Sequence, residues 1–244
     1  MAAQQGFEYE KNAAKVLKPM GLVPSTFIPA GASHDQPDLM LTHNKKQAGC
    51  ELKITTASAG SLVLKYNNGT WQFSDIDKQD EEKQFIKDLG HEVGLFSLIK
   101  TKWKEIPYKR EPKDAAWKAT IGKMEKRDMY ERDKKHFPDI KGEIPATKIE
   151  QYYNKKDTYY VNIGTHGFYL LGISNPLGLK NVPRFGTSSK ATFRARVQYK
   201  GSGTYQFTFE MQFSVTKRSP FNIAPVKGGS VQIDMQALNA SCFV

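Results

Sequence analysis

A mixed α/β (α+β) chain is predicted by three stretches of the sequence. Residues 7–17 repeat apolar side chains at helical spacing, residues 38–54 alternate as paired strands do, and residues 193–213 alternate over a longer span. In the first, Phe7, Ala14 and Leu17 share one face of a helix over about 7–18, and Glu10 lies on that face with them. Glu8, Lys11 and Lys15 fall on the other side. An extended segment, 22–28, is expected next. Leu39 and Leu41, then Cys50, Leu52 and Ile54, alternate around polar Asn44-Lys45-Lys46-Gln47, which reads as a hairpin over 38–56.

A second hairpin is expected at 62–66 and 70–73, around the turn signal Asn67-Asn68-Gly69. A helix over about 77–89 and a strand over 93–99 complete the first hundred residues. Helix is expected again from about 114 to 136. Near Asp157 the chain becomes β-rich. There Phe193, Ala195, Val197 and Tyr199 alternate with Arg194, Arg196, Gln198 and Lys200. After Gly201-Ser202-Gly203, Tyr205, Phe207, Phe209, Met211 and Phe213 alternate with Gln206, Thr208, Glu210 and Gln212. If Tyr199 opposes Tyr205, every cross-strand pair matches apolar with apolar or polar with polar, so a long hairpin with one apolar face is predicted.

Chemistry concentrates in the first hairpin. Pro37-Asp38 is followed, thirteen residues after the aspartate, by Glu51-Leu52-Lys53. Glu51 and Lys53 are two apart on one strand and share a face, while Leu52 and Ile54 point to the other. Asp38 joins them if it pairs with Glu51 or Lys53, and not if it pairs with Leu52, because a one-residue slip inverts the face. Two carboxylates and an ammonium at one strand junction suit Mg²⁺, a hard cation that takes oxygen ligands and keeps several waters. A phosphodiester would complete that shell, with Lys53 holding water or neutralising charge on phosphorus. Glu10 reinforces the pattern, since a carboxylate on a core-facing stripe is costly unless it meets a cation, a metal or a donor.

Gly-aromatic-Glu-aromatic-Glu opening a helix, then Pro-Asp, then Glu-x-Lys resembles the PD-(D/E)XK nucleases of the restriction-endonuclease-like superfamily, which includes type II restriction enzymes and archaeal Holliday-junction resolvases. The predicted order of elements over residues 1–100 is the αβββαβ core of such enzymes. The resemblance implies Mg²⁺-dependent DNA hydrolysis, with Mn²⁺ able to substitute. It casts Asp38 and Glu51 as metal ligands, the Leu52 carbonyl as a third, Lys53 as the catalytic lysine and Glu10 as the helix carboxylate. His34 and Gln36, in the loop before Asp38, are outside candidates for contacting the scissile phosphate.

Composition agrees: 36 Lys and Arg against 25 Asp and Glu give a net charge of +11, which favours a polyanionic partner. Residues 100–135 hold 13 Lys and Arg against 7 Asp and Glu, with Trp103, Tyr108, Trp117 and Tyr130 interspersed. A basic, largely helical DNA-facing segment is therefore expected over 101–156, with Lys102, Lys104, Lys109, Arg110, Lys123, Lys126 and Arg127 against phosphates. In the β-rich region, 157–244, the polar hairpin face offers Arg194, Arg196, Gln198 and Lys200 to base edges or phosphates. Cys50 and Cys242 form no disulfide framework and are expected reduced, in a cytoplasmic setting. No apolar run approaches membrane-spanning length, and the start lacks a basic-then-apolar signal, so neither membrane insertion nor secretion is expected. A homodimer acting on double-stranded DNA is the expected form, since a twofold axis presents two sites to two strands. A structure-selective nuclease acting on branched DNA and a non-catalytic DNA-binding or assembly protein are the alternatives.

Overall fold

A computed structural model of the chain describes residues 2–29, 36–54, 58–74, 81–104, 123–164, 166–201, 204–225 and 231–233. It is mixed α and β and divides into two compact units. One comprises Met1–Ala57, Pro145–Ala191 and Phe213–Val244; the other comprises Ser58–Ile144 and Thr192–Gln212. These boundaries do not coincide with a division at 100 and 156. Each unit draws on distant stretches of chain, a feature that local patterning does not register.

In the first unit, helix α1 (Ala2–Leu17) buries Tyr9, Ala13, Ala14 and Leu17. The buried stripe is thus centred on Tyr9 and Ala13, and Phe7 is half-buried with the Lys11 ammonium over its ring at 4.0 Å. Pro19 and Gly21, the latter at φ 69°, stop the helix after one 3₁₀ turn. Residues 22–28 form no strand: Leu22 and Val23 are buried, but Pro24 cannot donate to a ladder and Phe27 turns back onto its carbonyl.

Strands β1 (Leu39–His43) and β2 (Lys46–Lys53) form the first expected hairpin. Its turn narrows to Asn44-Lys45, both at positive φ, the backbone of a two-residue type I′ turn. The second hairpin, β3 (Ser58–Asn67) with β4 (Thr70–Phe73), turns likewise on Asn68-Gly69 and belongs to the other unit.

The helix expected near 77–89 is α2 (Glu81–Glu92). The strand expected at 93–99 is instead a second helix, α3 (Leu95–Lys102). Gly94, at φ 65°, breaks α2, and Leu95 and Ile99, four apart, bury together as helix neighbours. A short apolar run is compatible with either element, and the helical spacing prevails. Helix α4 (Lys123–His136) is the described part of the basic helix, and residues 114–122 lie outside the described residues.

The strand partner of β2 comes from far downstream. After β5 (Ile140–Ile144), α5 (Ala146–Asn154) leads into β6 (Thr158–Ile163), which runs parallel to β2. Strand β7 (Gly167–Leu170) completes a sheet of order β1-β2-β6-β7. One face of that sheet presents Leu39, Leu41, Ala48, Cys50, Leu52 and Tyr160 to the buried stripe of α1 in a single core. Asn162, fully buried, donates to the Tyr9 hydroxyl at 2.8 Å and the Ile223 carbonyl at 2.7 Å, and accepts from the Ile223 amide at 2.8 Å. Tyr9 also donates to the Ile223 carbonyl, and burial raises its phenol pKa.

The chain then runs through a short helix, α6 (Phe185–Ser188), into the long hairpin β8 (Ser189–Gly201) and β9 (Thr204–Val215). A last strand pair joins β10 (Ile223–Pro225) to β11 (Val231–Ile233). The second unit holds a sheet of order β4-β3-β9-β8-β5. Leu62 opposes Phe209 and Leu64 opposes Phe207, all buried, and the rings of Trp71, Trp103 and Phe137 gather on Phe207. The long hairpin departs from a single apolar face in two ways. Thr208 and Glu210 are buried as well, and Tyr199 is exposed and tilts against Tyr130 at 5.3 Å. Cys50 is buried and unoxidised, while Cys242 lies outside the described residues. No helix among the described residues is long and apolar enough to cross a membrane.

Candidate active site

The register of the first hairpin decides the geometry. Leu39 pairs with Cys50, so the next step along the ladder sets Asp38 opposite Glu51, the pairing that puts both carboxylates on one face. Asp38 lies just ahead of β1, and its Oδ2 accepts the Leu52 amide at 2.7 Å, which anchors the carboxylate to the strand that carries Glu51 and Lys53. Pro37 is buried beside Gly49. A Cβ on Gly49 would stand 2.8 Å from the Pro37 Cβ and 2.7 Å from the Asp157 carbonyl oxygen, so this close approach requires glycine. Gly49 also donates to Asp157 at 2.8 Å, next to a register shift between Gly49 and Cys50.

Lys53 Nζ is ion-paired with Glu51 Oε1, at the strand end where β2 and β6 run side by side. The Gly164 amide donates to the Lys53 carbonyl at 2.6 Å. Tyr153, buried on α5, donates to the same Glu51 oxygen at 3.4 Å. Nothing in its sequence surroundings marks this tyrosine: it is one of two in Gln151-Tyr152-Tyr153-Asn154, 102 residues from Glu51.

Glu10 completes the group from α1. Its Oε2 is buried without a hydrogen-bond partner among the described residues, and its pKa is pushed up to about 7, first by burial and then by the negative charge of Glu51, against the opposing pull of Lys53. Asp38 is held well above the usual carboxylate range by burial, then by Glu51, with Glu10 adding to the effect, while Lys53 and the Leu52 amide oppose it. Among the described residues, Glu10, Asp38 and Glu51 thus interact electrostatically with one another beside the Lys53 ammonium.

Among the described residues, no group of three or more His, Cys, Asp or Glu side chains is placed to hold a metal ion. The fit to Mg²⁺ rests on a smaller protein share, Asp38 and Glu51, with the orphaned Glu10 oxygen nearby, and such a share suits a cation that keeps several waters. Leu52 contributes its amide to Asp38.

The remaining site candidates are scattered. Gln36 is exposed next to Pro37, and His34 lies outside the described residues. Lys102, Lys104 and Arg127 are exposed; Lys123 and Lys126 lie on α4 and Lys200 on β8; Lys109 and Arg110 lie outside the described residues. Arg194 is ion-paired with Asp139, its Nε 2.9 Å from Oδ2, and Arg196 with buried Glu210 at 2.8 Å. Both ion pairs lie within the second unit, and that of Arg196 sets a cation beside the buried Glu210. Gln198 is half-buried, its Oε1 buried without a hydrogen-bond partner.

Compared with models of known protein families, with curated proteins and with solved structures, the chain matches none.

Proposed function

We propose that this chain is a Mg²⁺-dependent DNA endonuclease of the PD-(D/E)XK type, hydrolysing phosphodiester bonds at Asp38, Glu51 and Lys53. The observation that carries the reading is the hairpin register, Leu39 with Cys50, which turns Asp38 to the face of Glu51 and Lys53 and lets Asp38 take the Leu52 amide. The run α1, β1, β2, then α5 and a β6 parallel to β2, supports it further. The order of this unit, αββαβ, lacks one strand of the αβββαβ core and takes its second helix and last strand from α5 and β6 rather than from residues 77–99.

In this reading Asp38 and Glu51 hold the cation, and Mn²⁺ substitutes for Mg²⁺. When bound, Mg²⁺ supplies Lewis-acid polarisation of a phosphoryl oxygen and acidifies water. Lys53 neutralises charge that builds on the phosphorus oxygens and orients water by donating to it. Glu10 holds the charge balance of the site and gives up its proton near neutral pH, when a cation replaces it. The basic composition and the exposed Lys102, Lys104 and Arg127 support a nucleic-acid substrate.

The test is incubation of purified protein with supercoiled plasmid and, separately, with a four-way junction, in Mg²⁺ or EDTA, beside Lys53→Ala. Mg²⁺-dependent nicking or linearisation that the variant lacks is expected. The substrate cut faster separates a restriction-like role from a junction-resolving one. Salt-sensitive DNA binding with no cleavage of either substrate would sink the enzymatic reading in favour of a DNA-binding protein.

A further inference from the structure

Glu51 stands out among the site carboxylates because two donors of different origin converge on one of its oxygens. Lys53, two residues along the same strand, reaches Oε1, and so does the hydroxyl of Tyr153, from α5, at 3.4 Å. Tyr153 is 4% exposed, with its ring against Tyr152 at 5.1 Å and Phe213 at 6.2 Å. Phenylalanine would meet those packing needs equally well, whereas a buried hydroxyl must find a polar partner to offset its desolvation.

We propose that Tyr153 is a positioning residue of the nuclease site, its phenol fixing the rotation of the Glu51 carboxylate and thereby the affinity of the site for a divalent cation; the inference rests on the nuclease reading above. A carboxylate on a strand turns freely about its last bond unless something holds it. Lys53 lies on a flexible four-carbon stem and would itself be drawn towards charge on the substrate. Tyr153 is a rigid donor on a packed helix, so it holds the same oxygen when Lys53 moves. Its role is that of the outer partners which orient metal-binding carboxylates, whose loss commonly weakens metal affinity or activity about 10- to 100-fold.

The measurement is Mn²⁺ binding by calorimetry on the full chain, with Mg²⁺ titration of plasmid cleavage in parallel, for wild type, Tyr153→Phe, Glu51→Asp and the double variant. Tyr152→Phe is the control, since its ring borders Tyr153 while its hydroxyl engages Lys156. Tyr153→Phe is expected to weaken Mn²⁺ binding roughly tenfold and to raise the half-saturating Mg²⁺ concentration by a similar factor. Tyr152→Phe is expected to match wild type. In the Glu51→Asp background, where the shortened carboxylate no longer meets the phenol, Tyr153→Phe should cost nothing further. Equal Mn²⁺ affinity for wild type and Tyr153→Phe would overturn the inference and leave the nuclease reading intact. An equal loss in both backgrounds would also overturn it, by marking the effect as one of packing. Failure of wild type to bind Mn²⁺ in a Glu51-dependent way would overturn the inference and the nuclease reading together.

Discussion

Glutamine at position 10 is expected to stabilise the metal-free protein, and only above a definite pH. The Glu10 carboxyl titrates at about 7 rather than at its ordinary 4.5, so between those values the folded chain holds a proton that the unfolded chain has released. Stability therefore falls as pH rises through that window, is free of the penalty below about 4.5 and carries all of it above about 7. At about 1.4 kcal/mol per pKa unit the full penalty would approach ~3 kcal/mol. Glu10 is only half-buried, and solvent screening reduces this to ~1–2 kcal/mol. In a chain of this size that is a shift of about 3–6 °C in melting temperature. Thermal melts in EDTA from pH 5 to pH 8 should show Glu10→Gln and wild type converging at the acid end and the variant ahead at pH 8. Saturating Mg²⁺ should erase or invert that lead, because the cation supplies the countercharge whose lack makes Glu10 costly. Identical pH slopes for the two proteins in EDTA would refute the crowded-carboxylate account.

Three further outcomes are expected. Asp38→Asn and Lys53→Ala should each lower cleavage by at least about a thousandfold while DNA affinity, measured by gel shift, stays within a few-fold of wild type; joint loss of binding and folding would assign the two residues structural roles. Gly49→Ala should cost about 2–3 kcal/mol in urea unfolding and depress cleavage further than stability alone accounts for, because the added methyl pushes on Pro37 and hence on Asp38. Asn162→Leu should cost about 2–4 kcal/mol, since it strands the Ile223 amide in an apolar core while Tyr9 still donates to the Ile223 carbonyl; a melting temperature unchanged from wild type would refute the role given to Asn162.

The hairpin was legible because its alternation is encoded locally, whereas its register was left open by the sequence; the structure sets it with a turn at Asn44-Lys45 and Leu39 opposite Cys50. Glu10 was legible as a carboxylate out of place on an apolar stripe. What the sequence hid is long-range. The third strand of the sheet is β6, not residues 93–99, because the chain leaves after β2 to build a whole second unit before it returns. Leu95 and Ile99 satisfy strand and helix patterns equally over so short a run, and only packing chooses. Tyr153 and Asn162 could not be singled out, since their roles arise from atoms brought near by that return. The ion pairs of Arg194 with Asp139 and of Arg196 with Glu210 could not be read from the sequence, because the acids lie on other strands or loops.

The discontinuity of both units bears on how the protein comes into being on the ribosome. The strand with Glu51 and Lys53 emerges early, yet its parallel neighbour is not synthesised until residues 158–163, and the other unit waits for residues 192–212 to fill its sheet. While residues 54–157 are being made, then, β2 is an open edge available for wrong pairings, and no stretch of nascent chain holds a finished unit. No single cut in the gene would liberate a self-contained catalytic fragment: a truncation that keeps the Pro-Asp and Glu-x-Lys residues but stops before β6 removes the strand on which they rest. The parallel neighbour of the strand that bears Glu51 and Lys53 arrives only when about two thirds of the chain has been made.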